Sequence, residues 1–323
     1  MGEYKYMVLV KCITYNHAKY IKDAMNGFCM QETTFPFVCT IIDDASTDGE
    51  PEVIEKYLEE HFDLANGDVV RKEETDNYVL TFAQHKTNKN CYFAVLYLKY
   101  NHYSIKKDKT PYFAEWLDSS KYIAICEGDD YWIDTMKLQK QVIFLENHPD
   151  HTLCIHAYQR VEYRKDNVVI TDIHKFNSDV EVVPDHEVLR GTGMFAATSS
   201  MLYVGQAAND YPEWAKHAPV GDRPMQLILF SRGSIGYLDD VMSVYRVGVP
   251  GSWTLRIHRK RKANKQSEKQ FIQMYKDFDE WSNLEYHSLI IKGIRDFKRR
   301  IIKNRIIGFL RVSFSFIKNK RSQ

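Results

Sequence analysis

The chain has 323 residues, 44 Lys and Arg against 43 Asp and Glu, a formal net charge of +1, and 44% hydrophobic and 13% aromatic residues. That length and apolar content support one large packed domain or two smaller ones, and a charged fraction of 27% excludes disordered, collagenous and coiled-coil classes. The longest notable uncharged run, Gly191 to Asn209, is broken by Thr, Ser, Gln and Asn, so no bilayer-spanning segment is expected, and Met1 to Lys11 lacks the apolar stretch of a secretory signal.

In chain order, Met7 to Ile13 is the first expected strand, Ile21 to Gln31 a helix, and Thr40 to Asp43 the end of a second strand. Pro51 opens a second helix to about Glu60, because a missing amide costs nothing at a helix start. Asp63 to Asn90 has weak periodicity and reads as an insertion. Tyr92 to Tyr97 is expected as a third strand, Tyr112 to Leu117 as a short helix, Tyr122 to Cys126 as a fourth strand and Met136 to Leu145 as a helix. Leu153 to Tyr163 and Asn167 to Thr171 resemble a hairpin turning at Lys165 and Asp166. A helix follows over about Asp222 to Ser231, broken by Gly233, and then short strands at Ile235 to Leu238 and Val241 to Arg246. Strands alternating with helices predict an α/β fold around a mostly parallel sheet. The six cysteines show no CxxC pair, and four of them lie in apolar runs, so they read as reduced buried thiols of a cytoplasmic protein.

Charge is uneven along the chain. Lys292 to Gln323 holds eleven Lys and Arg and one acidic residue, and a second basic knot lies at Arg256 to Lys265. A boundary near residue 255 therefore separates a domain over 1–255 from a basic helical extension over 256–323. Within Ile301 to Ile317, Ile302, Ile306, Phe309, Leu310, Phe314 and Ile317 recur at roughly helical spacing. Such a helix either lies on an anionic membrane, peripheral to its inner face, or packs on the protein or on a second subunit as a homodimer. The basic run carries no nucleic-acid module, so no nucleic-acid partner is expected.

Acidic residues fall at the ends of expected parallel strands: Asp43-Asp44, Asp129-Asp130, and Asp222 before a helix. Ligands of open α/β sheets bind outside the carboxyl ends of the strands, which favours these positions for function. Glu127, Asp129 and Asp130 crowd three like charges after one strand, an arrangement that calls for a cation, Mg²⁺ or Mn²⁺, of the kind that holds a diphosphate. There is neither a GxxxxGK[ST] loop nor a GxGxxG after the first strand, so the metal is expected to carry most of the phosphate recognition, with Lys106, Lys107 and Lys109 as added point charges. Trp132, Trp214 and Trp253 offer aromatic faces for sugar rings, and Ser199, within Thr198-Ser199-Ser200, is a candidate for the acceptor side.

Ile13-Thr14-Tyr15-Asn16, Ile41-Ile42-Asp43-Asp44-Ala45-Ser46-Thr47-Asp48-Gly49 and Glu127-Gly128-Asp129-Asp130 resemble the ordered motifs of family 2 glycosyltransferases, and the likeness runs on through Gly221-Asp222 and Tyr237 to Arg246. The resemblance implies a GT-A fold, with a nucleotide-binding part over about 1–132 and an acceptor part over about 133–255. It further implies that Thr14, Tyr15 and Asn16 lie near the nucleotide and that Asp44 accepts from a base ring N–H. Asp129 would contact ribose or metal-bound water, Asp130 would ligate the metal, and Asp222 would act as general base in an inverting displacement. Lys109 is the nearest counterpart of an Arg usual after the third strand, and Glu127, Trp132, Ser199 and Trp253 are candidate sugar or acceptor contacts. The implied reaction is metal-dependent transfer of a sugar from a UDP- or dTDP-sugar to a glycan or lipid-linked acceptor, in surface polysaccharide biosynthesis. A nucleotidyltransferase acting on sugar phosphates fits less well, since no glycine-rich loop follows strand one. An inactive nucleotide- or glycan-binding module would have no need of Asp44, Asp130 and Asp222 together.

Overall fold

The computed structural model describes residues 4–164, 167–176, 180–190, 195–249 and 261–320, and for 164, 167, 170, 261–265 and 304–320 the backbone alone. By packing, the chain forms two compact units: one of Met1–Val183, Ala196–Asp210 and Ile228–Asn264, the other of Pro184–Phe195, Tyr211–Leu227 and Lys265–Gln323. The compositional boundary near residue 255 falls outside the described residues.

The first unit is built on one mixed sheet. Its centre is parallel: β1 (Tyr6–Thr14), β2 (Phe37–Asp43), β5 (Cys91–Leu98) and β6 (Ser120–Ile125) lie in the order β5, β2, β1, β6. All seven side chains of β2 are buried, as a strand covered on both faces requires. The first helix, α1 (Ile21–Cys29), buries Ile21, Ala24, Met25 and Phe28 on one stripe, and α2 (Glu50–His61) buries Ile54, Tyr57 and Leu58. These side chains join Val8, Val10, Phe37, Cys39 and Phe93 in a single core on that face of the sheet.

Two elements differ from expectation. The stretch taken as an insertion adds two antiparallel strands to the sheet edge, β3 (Arg71–Glu74) and β4 (Tyr78–Gln84), the latter pairing with β5. All four residues of β3 are exposed, so no apolar alternation marks it in the sequence. The two strands expected over 235–246 are one, β11 (Ser234–Val247), with register shifts at Leu238/Val241 and Val241/Ser243. It runs parallel to β8 (His151–Arg164), which hairpins with β9 (Asn167–His174) as expected. Thr198–Ser200 forms a 3-10 turn, and the strand that follows it, β10 (Leu202–Val204), links β6 to β8. A two-residue strand, β7 (Tyr131–Trp132), pairs with β11. All six cysteines are free, five of them buried and Cys29 partly so.

In the second unit, helix Arg261–Trp281 buries Met274, Tyr275 and Phe278, and helix His287–Lys320 buries Ile290 and Ile294. Trp214 packs against Phe278 and Trp281 there. Among the described residues no helix is long and apolar enough to cross a membrane.

Candidate active site

Parallel register brings the ends of β5, β2, β1 and β6 level, Thr14 opposite Asp43 and Asp43 opposite Tyr97. The loops that leave these ends carry most of the residues singled out in the sequence. Two loops turn through left-handed backbone, Asn16 at φ 57° and Ala45 at φ 61°, a conformation that costs a non-glycine residue about 1–2 kcal/mol and persists only where neighbours impose it. Here Asn16 N donates to Ser46 Oγ at 2.8 Å and Thr47 N donates to Asn16 Oδ1 at 2.8 Å, tying the two loops together.

Glu50, at the start of α2, lies beneath them, fully buried. Its carboxylate accepts from the Thr14 hydroxyl, from His17 N at 2.9 Å and from Ser46 Oγ at 2.8 Å. Thr14 Oγ1 also stands 3.2 Å from His17 Nδ1, and His17 Nε2 is 3.8 Å from Asp129 Oδ2. Tyr15, between them, is half-buried.

Asp44, the residue expected to accept from a base ring N–H, ends up beside the loop that follows β5. Only 2% exposed, it accepts from His102 N (2.7 Å, Oδ1) and from Tyr103 N (3.1 Å, Oδ2). Lys109 Nζ stands 3.0 Å from the same Oδ2. In this structure Asp44 anchors the loop that follows β5, and Lys109 neutralises that buried carboxylate instead of standing free for a phosphate. Lys107 Nζ is likewise engaged, donating to Tyr100 Oη at 2.7 Å and to Asn77 Oδ1 at 3.0 Å.

Glu127, Gly128, Asp129 and Asp130 follow β6. Pairing of β7 with β11, Val244 opposite Tyr131, delivers Arg246 to this strand end. Arg246 N donates to Asp130 Oδ1 at 2.8 Å and Arg246 Nη1 donates to the Asp129 carbonyl at 3.0 Å, while Nη2 pairs with Asp23 and Nε donates to Tyr163 Oη at 3.1 Å. The Asp130 carboxyl is held well above the usual carboxylate range, chiefly by burial and next by the charge of Asp129. The guanidinium is thus directed to a carbonyl, Asp23 and Tyr163 rather than to the Asp129 carboxylate. Adjacent carboxylates of this kind form a donor set that suits a hard divalent ion. Among the described residues no three His, Cys, Asp or Glu side chains converge on one point, so such an ion would complete its shell with water and phosphate oxygens.

The expected sugar contacts fare differently. Trp132 is a core residue, 2% exposed, with its indole N–H donated to the Ser199 carbonyl at 2.9 Å and its ring against Phe28 and Lys137. Ser199 is fully buried, its Oγ 3.3 Å from Ser243 Oγ. The short β7 and the 3-10 turn fold both side chains into the core. Glu127 Oε2 accepts from Thr198 Oγ1 at 2.6 Å. Trp253 lies outside the described residues. Asp222 belongs to the second unit, at the start of helix Asp222–Arg232, where it accepts from Arg223 N at 2.8 Å. Burial raises its carboxyl above the ordinary value, opposed by that amide and by the Arg223 charge. Arg223 itself is 1% exposed and donates to Tyr275 Oη, Gln226 Oε1 and the Val188 carbonyl.

Sequence reasoning assigned no role to Arg246, His17 or Glu50. Arg246 closes the last motif block, His17 directly follows the first and Glu50 the second, so position in the motifs was the available signal.

Residues 10–78 match the family model Glycosyl transferase family 2. Curated relatives include the uncharacterized proteins Mb1547 of Mycobacterium bovis and Rv1520 of Mycobacterium tuberculosis, each 30% identical over 245 residues, 75% of this chain and 59% of theirs. The chain thus spans about three-fifths of the length of the curated relatives it matches. Among solved structures, it is similar to the mannosyltransferase PcManGT from Pyrobaculum calidifontis in complex with GDP-Man and Mn²⁺, with TM-score 0.51, 12% identity, and cover of 97% of this chain and 81% of that one. It is also similar to S. aureus TarS in complex with UDP-GlcNAc, with TM-score 0.50, 16% identity, and cover of 83% and 66%. The fold is the GT-A glycosyltransferase fold: a mixed sheet with a parallel centre, flanked by helices and followed by C-terminal helices.

Proposed function

We propose that this chain, a GT-A protein whose residues 10–78 match glycosyl transferase family 2, transfers a sugar from a nucleoside diphosphate sugar to a hydroxyl of a glycan or lipid-linked acceptor, with inversion and with help from Mn²⁺ or Mg²⁺. The observation that carries the reading is the gathering of the Thr14–His17 loop, the Asp43–Ser46 loop and the Glu127–Asp130 strand end at the carboxyl edge of one parallel sheet. That edge is where α/β sheets bind nucleotides.

Thr14, Tyr15 and Asn16 would flank the nucleotide, and the loop anchored on Asp44 would bound the base side. A divalent ion held at the acidic strand end would neutralise the charge that builds on the departing diphosphate. Asp222 would take the proton of the acceptor hydroxyl. Its raised pKa suits that role, since a base works best when its pKa approaches the working pH. UDP and dTDP donors are the first choice because the motifs resemble those of enzymes using them, and surface polysaccharide synthesis in the cytoplasm supplies the acceptors in this reading.

The test is hydrolysis and transfer across a panel of UDP-, dTDP- and GDP-sugars, with Mn²⁺, with Mg²⁺ and with chelator. Turnover of one donor class supports the proposal. No binding and no turnover of any donor under all three conditions would overturn it.

A further inference from the structure

Arg223 directly follows Asp222 in the chain and is 1% exposed. We infer that Arg223 is a positioning residue for Asp222: its buried guanidinium fixes the neighbouring carboxylate and supplies the positive field in which that carboxylate keeps its charge. The inference rests on the reading of Asp222 as the base that takes the acceptor proton.

Three segments of the second unit hold the guanidinium. Nε donates to Tyr275 Oη at 2.8 Å on helix Arg261–Trp281, Nη1 donates to Gln226 Oε1 at 3.0 Å within helix Asp222–Arg232, and Nη2 donates to the Val188 carbonyl. The ring centroids of Phe195 and Tyr275 lie 5.3 and 5.4 Å from its central carbon, within reach of cation–π attraction. A planar fork bonded at all three nitrogens cannot turn, so the backbone of residue 223 is fixed with it. The amide of that same residue donates to Asp222 Oδ1 at 2.8 Å. Anchorage of the side chain therefore reaches the carboxylate through a single peptide unit.

Every one of the three acceptors is neutral. Taking a guanidinium out of water with neutral partners alone costs stability, and an apolar side chain of similar reach would fill the space without that cost. Packing alone is thus a poor account of an arginine at this position. What the residue adds is charge, and in surroundings of low polarity a charge acts over several ångströms with little screening. Burial raises the Asp222 carboxyl above the ordinary value, and the Arg223 amide and the Arg223 charge both oppose the rise. Unopposed, a buried acid holds its proton at working pH and cannot serve as a base. Among the described residues the other titratable group facing Asp222 is Tyr211, whose hydroxyl is pushed up to about 12 by burial and is uncharged at neutral pH.

The experiment follows the carboxyl ¹³C resonance of Asp222 through a pH titration of the full-length protein labelled at aspartate Cγ, assigned by its loss in Asp222→Asn. Arg223→Gln should move the Asp222 midpoint up by about one pH unit or more. Gln226→Glu should move it the same way, because a carboxylate against Nη1 cancels the guanidinium charge without removing the fork. Tyr275→Phe removes one bond and leaves the charge, so it should lower the melting temperature and leave the midpoint in place. A midpoint unmoved in both Arg223→Gln and Gln226→Glu would overturn the inference. So would a shift in Tyr275→Phe as large as theirs, since the titration would then follow packing instead of charge. If Arg223→Gln does not fold, Gln226→Glu decides alone. The acid limb of donor hydrolysis, recorded with whichever UDP-, dTDP- or GDP-sugar turns over, keeps the two readings apart. A limb that rises with the midpoint in both variants supports the positioning role. A limb that persists in Asp222→Asn removes Asp222 as the base, and the positioning role with it. An unmoved midpoint beside a limb that Asp222→Asn abolishes removes Arg223 alone.

Discussion

Asp43 ends β2 with a carboxylate that is 1% exposed. Burial pushes its pKa up to about 6, opposed by Ser46 N, which donates to both oxygens at 3.3 Å. A folded pKa above the unfolded value of about 3.9 means the native state binds the proton more tightly, so the stabilisation present below pH ~4 is lost as pH rises through about 6. A shift of about 2 units corresponds to a cost of ~3 kcal/mol at neutral pH. Asp43→Asn keeps an acceptor for Ser46 and removes the charge. Urea denaturation should find the variant more stable than wild type by about 1–3 kcal/mol at pH 7.5 and nearly equal to it at pH 4. An equal offset at both pH values would mean that charge burial is not the cause. Asp222 gives the matching prediction for catalysis. Asp222→Asn preserves shape and removes the base, so calorimetric donor affinity should persist while turnover falls by about 10² or more. Because the raised pKa lets Asp222 protonate sooner on acidification, the wild-type rate should fall on the acid side, and the variant should lack that limb. Parallel losses of binding and turnover in D222N would point to a structural acid.

At the scale of elements, the site depends on how closely two strand ends approach. Gly128 sits against Thr14 so tightly that an added Cβ would lie 2.6 Å from Thr14 Cβ and 3.1 Å from Ile21 Cδ1. Gly128→Ala must therefore push the end of β6 away from the first loop, at an overpacking cost of about 1–3 kcal/mol. The same shift would move the acidic strand end at which the divalent ion is proposed. Thermal melting and Mn²⁺ titration on one preparation should show both losses together, and a variant that melts and binds like wild type would show that the approach is looser than described. The bulge in β11 works at the same scale. Slipping the register between Leu238 and Ser243 sets Val244 opposite Tyr131, and Arg246 reaches Asp130 as a result.

For the whole molecule, the basic extension is the open element. Ile290 and Ile294 of its helix are buried within the second unit, so a cut at Lys292 would remove packed structure along with charge. Ending the chain after Lys303 spares those residues and removes Arg305, Arg311, Lys318, Lys320 and Arg321 with no acidic residue among them. If this segment meets an anionic membrane, each basic residue near the surface contributes about 1 kcal/mol, and salt weakens the attraction. The full chain should sediment with phosphatidylserine vesicles at low salt and release at high salt, and the shortened chain should stay in solution, fold and turn over soluble acceptors. Vesicle binding equal in both chains would assign the tail to packing or self-association.

The sequence by itself determined the order of strands and helices in the parallel centre, because buried apolar runs and helix-start signals are local. It also determined where the acidic groups stand, since Asp43-Asp44 and Glu127 to Asp130 are contiguous and follow apolar strands directly. Edge strands β3 and β4 escaped it: the four residues of β3 are all exposed and take their structure from β4, not from a pattern of their own. Only the tertiary structure decided which side chains face which, because register and packing are collective. Arg246 meets Asp130 across 116 residues, Glu50 meets Thr14 across 36, and Trp132 turns into the core to reach Ser199 across 67. The buried environment that lifts Asp43 and Asp222 arises in the same way, from neighbours that the fold supplies and linear sequence does not list.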